Sequence, residues 1–176
     1  MTPSEFAAKW RGVTTGERAS AQSHFGDLCR MLGEPTPTDA DPTGSIYTVD
    51  RDSRALQVQV RALHDAFPNV SVTPLVSDFT MPLELPPLDG IVMANSLHFE
   101  RDKLAVLRLV GGYLRPDGRL VLVEYDTDHG TPWVPFPLSF RSWATLAAEA
   151  GFRETRRLAS IPSRFLGSIY SALSVR

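Results

Sequence analysis

Cysteine occurs once in 176 residues, at Cys29, so the chain can close no disulfide on itself and can assemble no thiolate metal site. Lysine is nearly as scarce: of 18 basic residues only Lys9 and Lys103 are lysines, a skew that suggests a GC-rich coding history and carries no function. No apolar run approaches the roughly 18 residues that mark a membrane span, and no segment has the layout of a secretory leader. A cytoplasmic location without a membrane partner is therefore the default expectation. Basic charge is not in excess either: 18 basic against 20 acidic residues give a net charge of -2, which leaves no electrostatic footprint for nucleic acid. Internal repeats and low-complexity tracts are absent.

What is present is an ordinary core-forming composition, 43% hydrophobic and 22% charged, in a length that suits one domain or one domain with a small appendage. Two capping boxes, Thr2-Pro3-Ser4-Glu5 and Thr14-Thr15-Gly16-Glu17, open short helices. The second carries Ala21, Phe25, Leu28, Cys29 and Leu32 on one stripe, and Gly33, Pro35 and Pro37 stop it. Residues 34–44 are rich in Pro, Asp and Thr and read as a linker. This gives a helical appendage over 1–44 and an α/β domain over 45–176.

From Ser45 the periodicity changes. Ile46 to Val49 reads as a strand ending in Asp50, and Asp52 or Ser53 caps a helix with Leu56, Val60, Leu63 and Phe67 on one stripe. A strand over 70–76 ends in Ser77-Asp78-Phe79, and after a Pro-rich loop a strand over 89–94 ends in Asn95-Ser96-Leu97-His98. A helix from about Glu100 follows, then a turn at Leu114 to Gly118 and a strand over 120–123 reaching Glu124. The loop 127–138 interleaves Pro132, Pro135 and Pro137 with Trp133 and Phe136. Ser139 caps a helix stopped at Gly151, and two β runs, about 152–161 and 165–175, form a hairpin around Pro162-Ser163-Arg164. Such an alternation requires crossovers and a mostly parallel sheet closed by an antiparallel hairpin. In open α/β sheets ligands sit at the carboxyl ends of the strands, which singles out Asn95 to His98.

Three local patterns resemble the class I S-adenosylmethionine-dependent methyltransferases over about residues 45–176. Ile-Tyr-Thr-Val-Asp50-Arg-Asp looks like that family's second strand, Val-Ser-Asp78-Phe79 like the end of its third, and Tyr-Leu-Arg-Pro-Asp-Gly-Arg-Leu like its turn into strand five. The resemblance implies a Rossmann-like methyltransferase sheet, S-adenosylmethionine as cofactor and a small molecule as methyl acceptor. It places Asp50 at the two ribose hydroxyls, Asp78 and Phe79 at the adenine, and Asn95 and Ser96 on the methyl-donor side. A strand-end carboxylate can accept two hydrogen bonds from a vicinal diol; Asp50 as a simple turn acid and helix cap is the alternative, as a solvated loop acid is for Asp78. His98 can serve as general base, having an unperturbed pKa near neutrality, or can be a packed turn residue. Trp133 and Phe136, with Phe140 nearby, form a lid over an apolar acceptor or cover the following helix. Glu124, Asp126, Asp128 and His129 read as a solvated acidic loop rather than a metal site, since hard cations need several oxygens held in defined geometry.

The resemblance stops short at one place. The family's glycine-rich loop after strand one, an acid followed by Gly-x-Gly, has no counterpart; Asp41-Pro42-Thr43-Gly44 follows a linker instead of a strand. The expected sheet is therefore incomplete, lacking strand one between the strands ending at Asp50 and Ala94, and its cofactor lacks the usual backbone cradle. Direct pairing of neighbouring strands, or a second copy in a homo-oligomer, would satisfy the open backbone groups. The first 44 residues, around Phe6-Ala-Ala-Lys-Trp-Arg-Gly-Val, are similar to the N-terminus of bacterial restriction-modification DNA methyltransferases, so the chain reads as a join. Three functions stay open: a small-molecule methyltransferase, a non-catalytic methyltransferase-like remnant or binding module, and a DNA-modification subunit, which the acidic balance disfavours.

Overall fold

The computed structural model describes Glu5 and residues 44–176. The two capping boxes, the helical stripe to Leu32 and the restriction-modification resemblance fall, apart from Glu5, outside the described residues. The chain divides into two compact units, Met1–Met81 and Pro82–Arg176.

In the first unit β1 (Ser45–Asp50) and β2 (Ser71–Val76) run parallel, in register from Ser45 against Ser71 to Asp50 against Val76. Parallel neighbours need a crossover, and α1 (Ser53–Ala66) supplies it. Of the two candidate caps Asp52 is the one used: its carboxylate accepts from the amides of Arg54 and Ala55 at 2.9 and 3.4 Å. Leu56 and Leu63 of the expected stripe are buried. Pro74 removes a donor from β2, which the strand tolerates because only β1 pairs with it among the described residues.

The second unit carries β3 (Leu88–Ala94), α2 (Lys103–Tyr113), β4 (Leu114–Tyr125), α3 (Phe140–Glu149), β5 (Glu154–Pro162) and β6 (Ser168–Val175). Its four strands lie in the order β3-β4-β6-β5. β3 pairs parallel with β4, and β6 runs antiparallel to both β4 and β5, so β6 alone opposes the common direction. A mixed α/β architecture, mostly parallel with a C-terminal antiparallel hairpin, is thus what the sequence periodicities specify. The described strands form a two-stranded sheet in the first unit and a four-stranded sheet in the second.

Two boundaries differ from expectation. α2 begins at Lys103, not Glu100, because the chain first makes a 3-10 turn over Leu97–Phe99, and Asp102 then caps the helix by accepting from Ala105 N–H at 3.1 Å. β4 begins early because the expected turn is absorbed as a bulge: Leu88 faces Leu114, while Gly90 already faces Arg119. Asp117 takes φ 64 there, a left-handed conformation that Asp tolerates, and at Gly118 a Cβ would lie 2.8 Å from the Arg115 carbonyl oxygen. Arg176 reaches back to donate to the Gly111 and Leu114 carbonyl oxygens, placing a cation at the carboxyl end of α2.

The core of this unit sits under β4, where Leu120 and Leu122 are fully buried with Leu107 of α2 and Trp143 and Ala147 of α3. No helix among the described residues is long and apolar enough to cross a membrane.

Candidate active site

The apolar run of β3 ends at Ala94, and the next residue turns the chain. Asn95 adopts φ 50, which few side chains accept as readily, while its N–H still donates to Val123 of β4 at 3.0 Å. That turn aims the amides of the 3-10 segment at the end of β4. There Glu124, fully buried, takes three hydrogen bonds. Its Oε1 accepts from Leu97 N–H at 3.0 Å and His98 N–H at 3.1 Å, and its Oε2 lies 2.7 Å from His98 Nδ1.

A buried carboxylate is costly unless its lone pairs are satisfied, and these three donors satisfy it. With the carboxylate as acceptor, Nδ1–H is the donor of this bond, and in that tautomer the ring lone pair lies on Nε2. The imidazole is itself buried, against the Phe99 ring at 4.3 Å and the Tyr125 ring at 5.9 Å between centroids, with Phe165 a further 6.2 Å from Tyr125. Phe99 and Phe165 are exposed.

The loop expected as a lid is folded on itself. Thr131 N–H donates to the Val134 carbonyl at 2.9 Å, Val134 N–H to Thr131 Oγ1 at 3.1 Å, and a Cβ on Gly130 would lie 2.2 Å from the Pro135 carbonyl oxygen. Phe136 N–H then donates to the His98 carbonyl at 2.9 Å, tying the loop to the histidine's own backbone. Trp133 stands 76% exposed and Phe136 38%. Phe140, expected nearby, belongs to α3 instead; its ring meets Tyr170 edge-on at 5.7 Å and lies 4.5 Å beneath the Arg157 guanidinium.

In the acidic loop Asp128 and His129 are exposed, while Glu124 is buried and Asp126 half-buried. Asp126 accepts from Phe140 N–H at 2.9 Å and pairs with Arg157 at 3.0 Å, while Asp128 accepts from Ser139 N–H and Oγ at 2.9 and 2.8 Å. Both carboxylates thus sit at the amino end of α3, and hydrogen bonds from Ser139 hold Asp128 below the usual carboxylate range despite its partial burial. Tyr170, cross-strand from Glu124, is pushed far above the ordinary tyrosine range by burial and then by the charges of Glu124 and Asp126. Among the described residues no group of three or more His, Cys, Asp and Glu side chains is arranged to hold a metal ion.

In the first unit Asp50 ends β1, and its Oδ1 accepts from Asp52 N–H at 2.8 Å. Asp78, just past β2, is committed on both oxygens. Its Oδ1 accepts from Thr80 N–H at 2.9 Å and Thr80 Oγ1 at 2.7 Å, and its Oδ2 from Arg51 at 3.2 Å. The Thr80 bonds, aided by Arg51, lower its pKa. Phe79 is half-buried beside it. In the second unit Asn95 Oδ1 is buried without a hydrogen-bond partner, and Ser96 makes no side-chain capping bond. The orphaned Asn95 acceptor fits a ligand that brings hydroxyl or ammonium donors.

No family model and no curated protein matches the chain. Solved structures do. A Nostoc punctiforme PCC 73102 protein assigned as an O-methyltransferase matches over 89% of this chain and 49% of its own, at 14% identity and TM-score 0.60. An S-adenosylmethionine-dependent methyltransferase from Aquifex aeolicus matches over 89% and 78%, at 20% identity and TM-score 0.55. The CMeT domain of a citrinin polyketide synthase matches over 90% and 44%, at 14% identity and TM-score 0.58. The chain spans about half the length of the Nostoc protein and less than half of the polyketide-synthase chain. At such identities the likeness is one of architecture, and it establishes that this chain has the class I fold of the S-adenosylmethionine-dependent methyltransferases.

Proposed function

We propose that the protein transfers a methyl group from S-adenosylmethionine to a hydroxyl of a small apolar molecule, with His98 as general base. The observation that carries this reading is the buried His98–Glu124 pair at the carboxyl ends of β3 and β4, 2.7 Å between Nδ1 and Oε2. An imidazole with its Nδ1–H held by a carboxylate keeps the lone pair on Nε2 and is stabilised when it gains a proton, which is what a general base requires.

The cofactor supplies an electrophilic methyl group on a sulfonium. Asn95 Oδ1 and the Ser96 hydroxyl would hold it. His98 Nε2 would take the proton of the acceptor's hydroxyl, and the Glu124 carboxylate would balance the resulting imidazolium. Exposed aromatic surface at Phe99, Trp133, Phe136 and Phe165 suits a flat apolar acceptor. Because His98 is only 3% exposed, a neighbouring group must shift for an acceptor to reach it, and the 127–138 loop, bonded to the His98 carbonyl, is the proposed mover.

The test is transfer of labelled methyl from S-adenosylmethionine to a panel of small phenols and aliphatic alcohols, comparing wild type with His98→Asn. Transfer that falls at least about a hundredfold in the variant, with cofactor binding kept, supports the assignment. Equal rates in the two proteins would exclude His98 as base. One observation favours the non-catalytic reading: the sequence has no glycine-rich loop to bring backbone amides against the cofactor. Cofactor binding without transfer to any acceptor would support it.

A further inference from the structure

Lys103 stands where a lysine is least expected. It is the first residue of α2, at the end of a helix whose free amides already carry partial positive charge, and it is 8% exposed. Lysine is rarely buried without a partner. Here its ammonium donates to the Glu100 carbonyl at 2.7 Å and lies 5.5 Å from the centre of the Phe136 ring. Burial lowers its pKa, opposed by the negative charges of Glu124 on β4 and Glu100 on its own turn. In a chain with only one other lysine, an apolar residue here would avoid each of these costs.

What a lysine provides is a bridge. Phe136 N–H is bonded to the His98 carbonyl, the Phe136 ring lies near the ammonium, and the ammonium returns to Glu100, one residue beyond the 3-10 turn that holds His98. These contacts close a ring through the histidine turn, the loop and the start of α2. We propose that Lys103 is a positioning residue that latches the Phe136 segment onto the turn carrying His98 and so sets access to the imidazole. The latch stands on these contacts alone; its meaning for an acceptor rests on the proposed role of His98.

Amide hydrogen exchange on the full chain tests it without cofactor or turnover, so its outcome is separable from that of methyl transfer. In Lys103→Met, which keeps the apolar stem and loses the charge, the Phe136 amide should exchange at least about tenfold faster, while amides of β4 keep their protection. The melting temperature should stay level or rise, since a buried cation has been removed from a helix amino end. Lys103→Arg, which retains a cation over the ring, should restore protection at Phe136. Unchanged exchange at Phe136 in Lys103→Met would overturn the proposal. So would a uniform loss of protection across β4 with a lower melting temperature, which marks a residue that only supports the fold.

Discussion

Replacing Glu124 with glutamine should move a proton from one side of the His98 ring to the other. The carboxylate accepts two backbone N–H groups on Oε1, at 3.0 and 3.1 Å, and the His98 Nδ1–H on Oε2 at 2.7 Å. A glutamine has one acceptor and one donor end. If its NH2 faced Leu97 and His98, two backbone donors would lose their acceptor within a fully buried site, at about 1–3 kcal/mol each. The side chain should therefore keep its oxygen on the two amides and present NH2 to Nδ1, which must then accept. The ring responds by carrying its proton on Nε2, where a base needs a lone pair. Loss of charge assistance at three bonds should lower stability by about 1–3 kcal/mol, within the reserve of a typical domain. Alanine would orphan all three donors and open a cavity, so glutamine is the informative change. Nitrogen-15 NMR of the imidazole reads the tautomer directly, and methyl transfer should fall by roughly a hundredfold or more. A Glu124→Gln protein whose His98 still carries its proton on Nδ1 would refute the reasoning.

Tyr170→Phe should raise stability by about 1 kcal/mol, because the Tyr170 hydroxyl is buried with no hydrogen-bond partner; a chemical denaturation curve that shifts down would contradict this. The same variant should remove an alkaline instability: Tyr170 stays protonated in the folded chain while the unfolded one ionises near 10.0, so wild-type stability should fall as pH rises past 10 and that of the variant less steeply. For Lys103 the sign is opposite. Its folded pKa lies below 10.5, so between that lowered value and 10.5 the unfolded chain binds more protons, and wild type should gain stability relative to Lys103→Met as pH rises toward 10.5 in urea titrations; a constant gap would be inconsistent. Gly130→Ala places a methyl 2.2 Å from the Pro135 carbonyl oxygen and should cost about 1–3 kcal/mol in a thermal melt while speeding exchange at the Phe136 amide; an unshifted melt would count against the loop's compact geometry.

The framework was legible because it rests on local signals. The apolar runs ending at Asp50, Val76 and Ala94 became parallel strands, Ser139 capped α3, accepting from Ser142 N–H at 3.3 Å, and the segment after Pro162 turned as a hairpin. Candidate His98 was legible from its place after a strand. Its partner was not, since Glu124 lies 26 residues away and reads in sequence as part of an acidic loop. Neither was the division of labour inside that loop, where one acid buttresses the histidine and two tie down the start of α3. Lys103 gave no signal at all, because a charged residue after Glu-Arg-Asp reads as solvated; in the fold it is buried, with the Phe136 ring beside its ammonium. Asp78 carried the family pattern, yet its oxygens are committed to Thr80 and Arg51, which a strand-end motif does not reveal.

The central claim, that this fold still serves S-adenosylmethionine although the glycine-rich loop is absent, is tested most directly by calorimetric titration of the full chain with that compound. Saturable heat with one site per chain, weakened when Asn95 is changed to alanine, is the predicted result. No heat at millimolar ligand would contradict the claim and leave a methyltransferase fold without its cofactor.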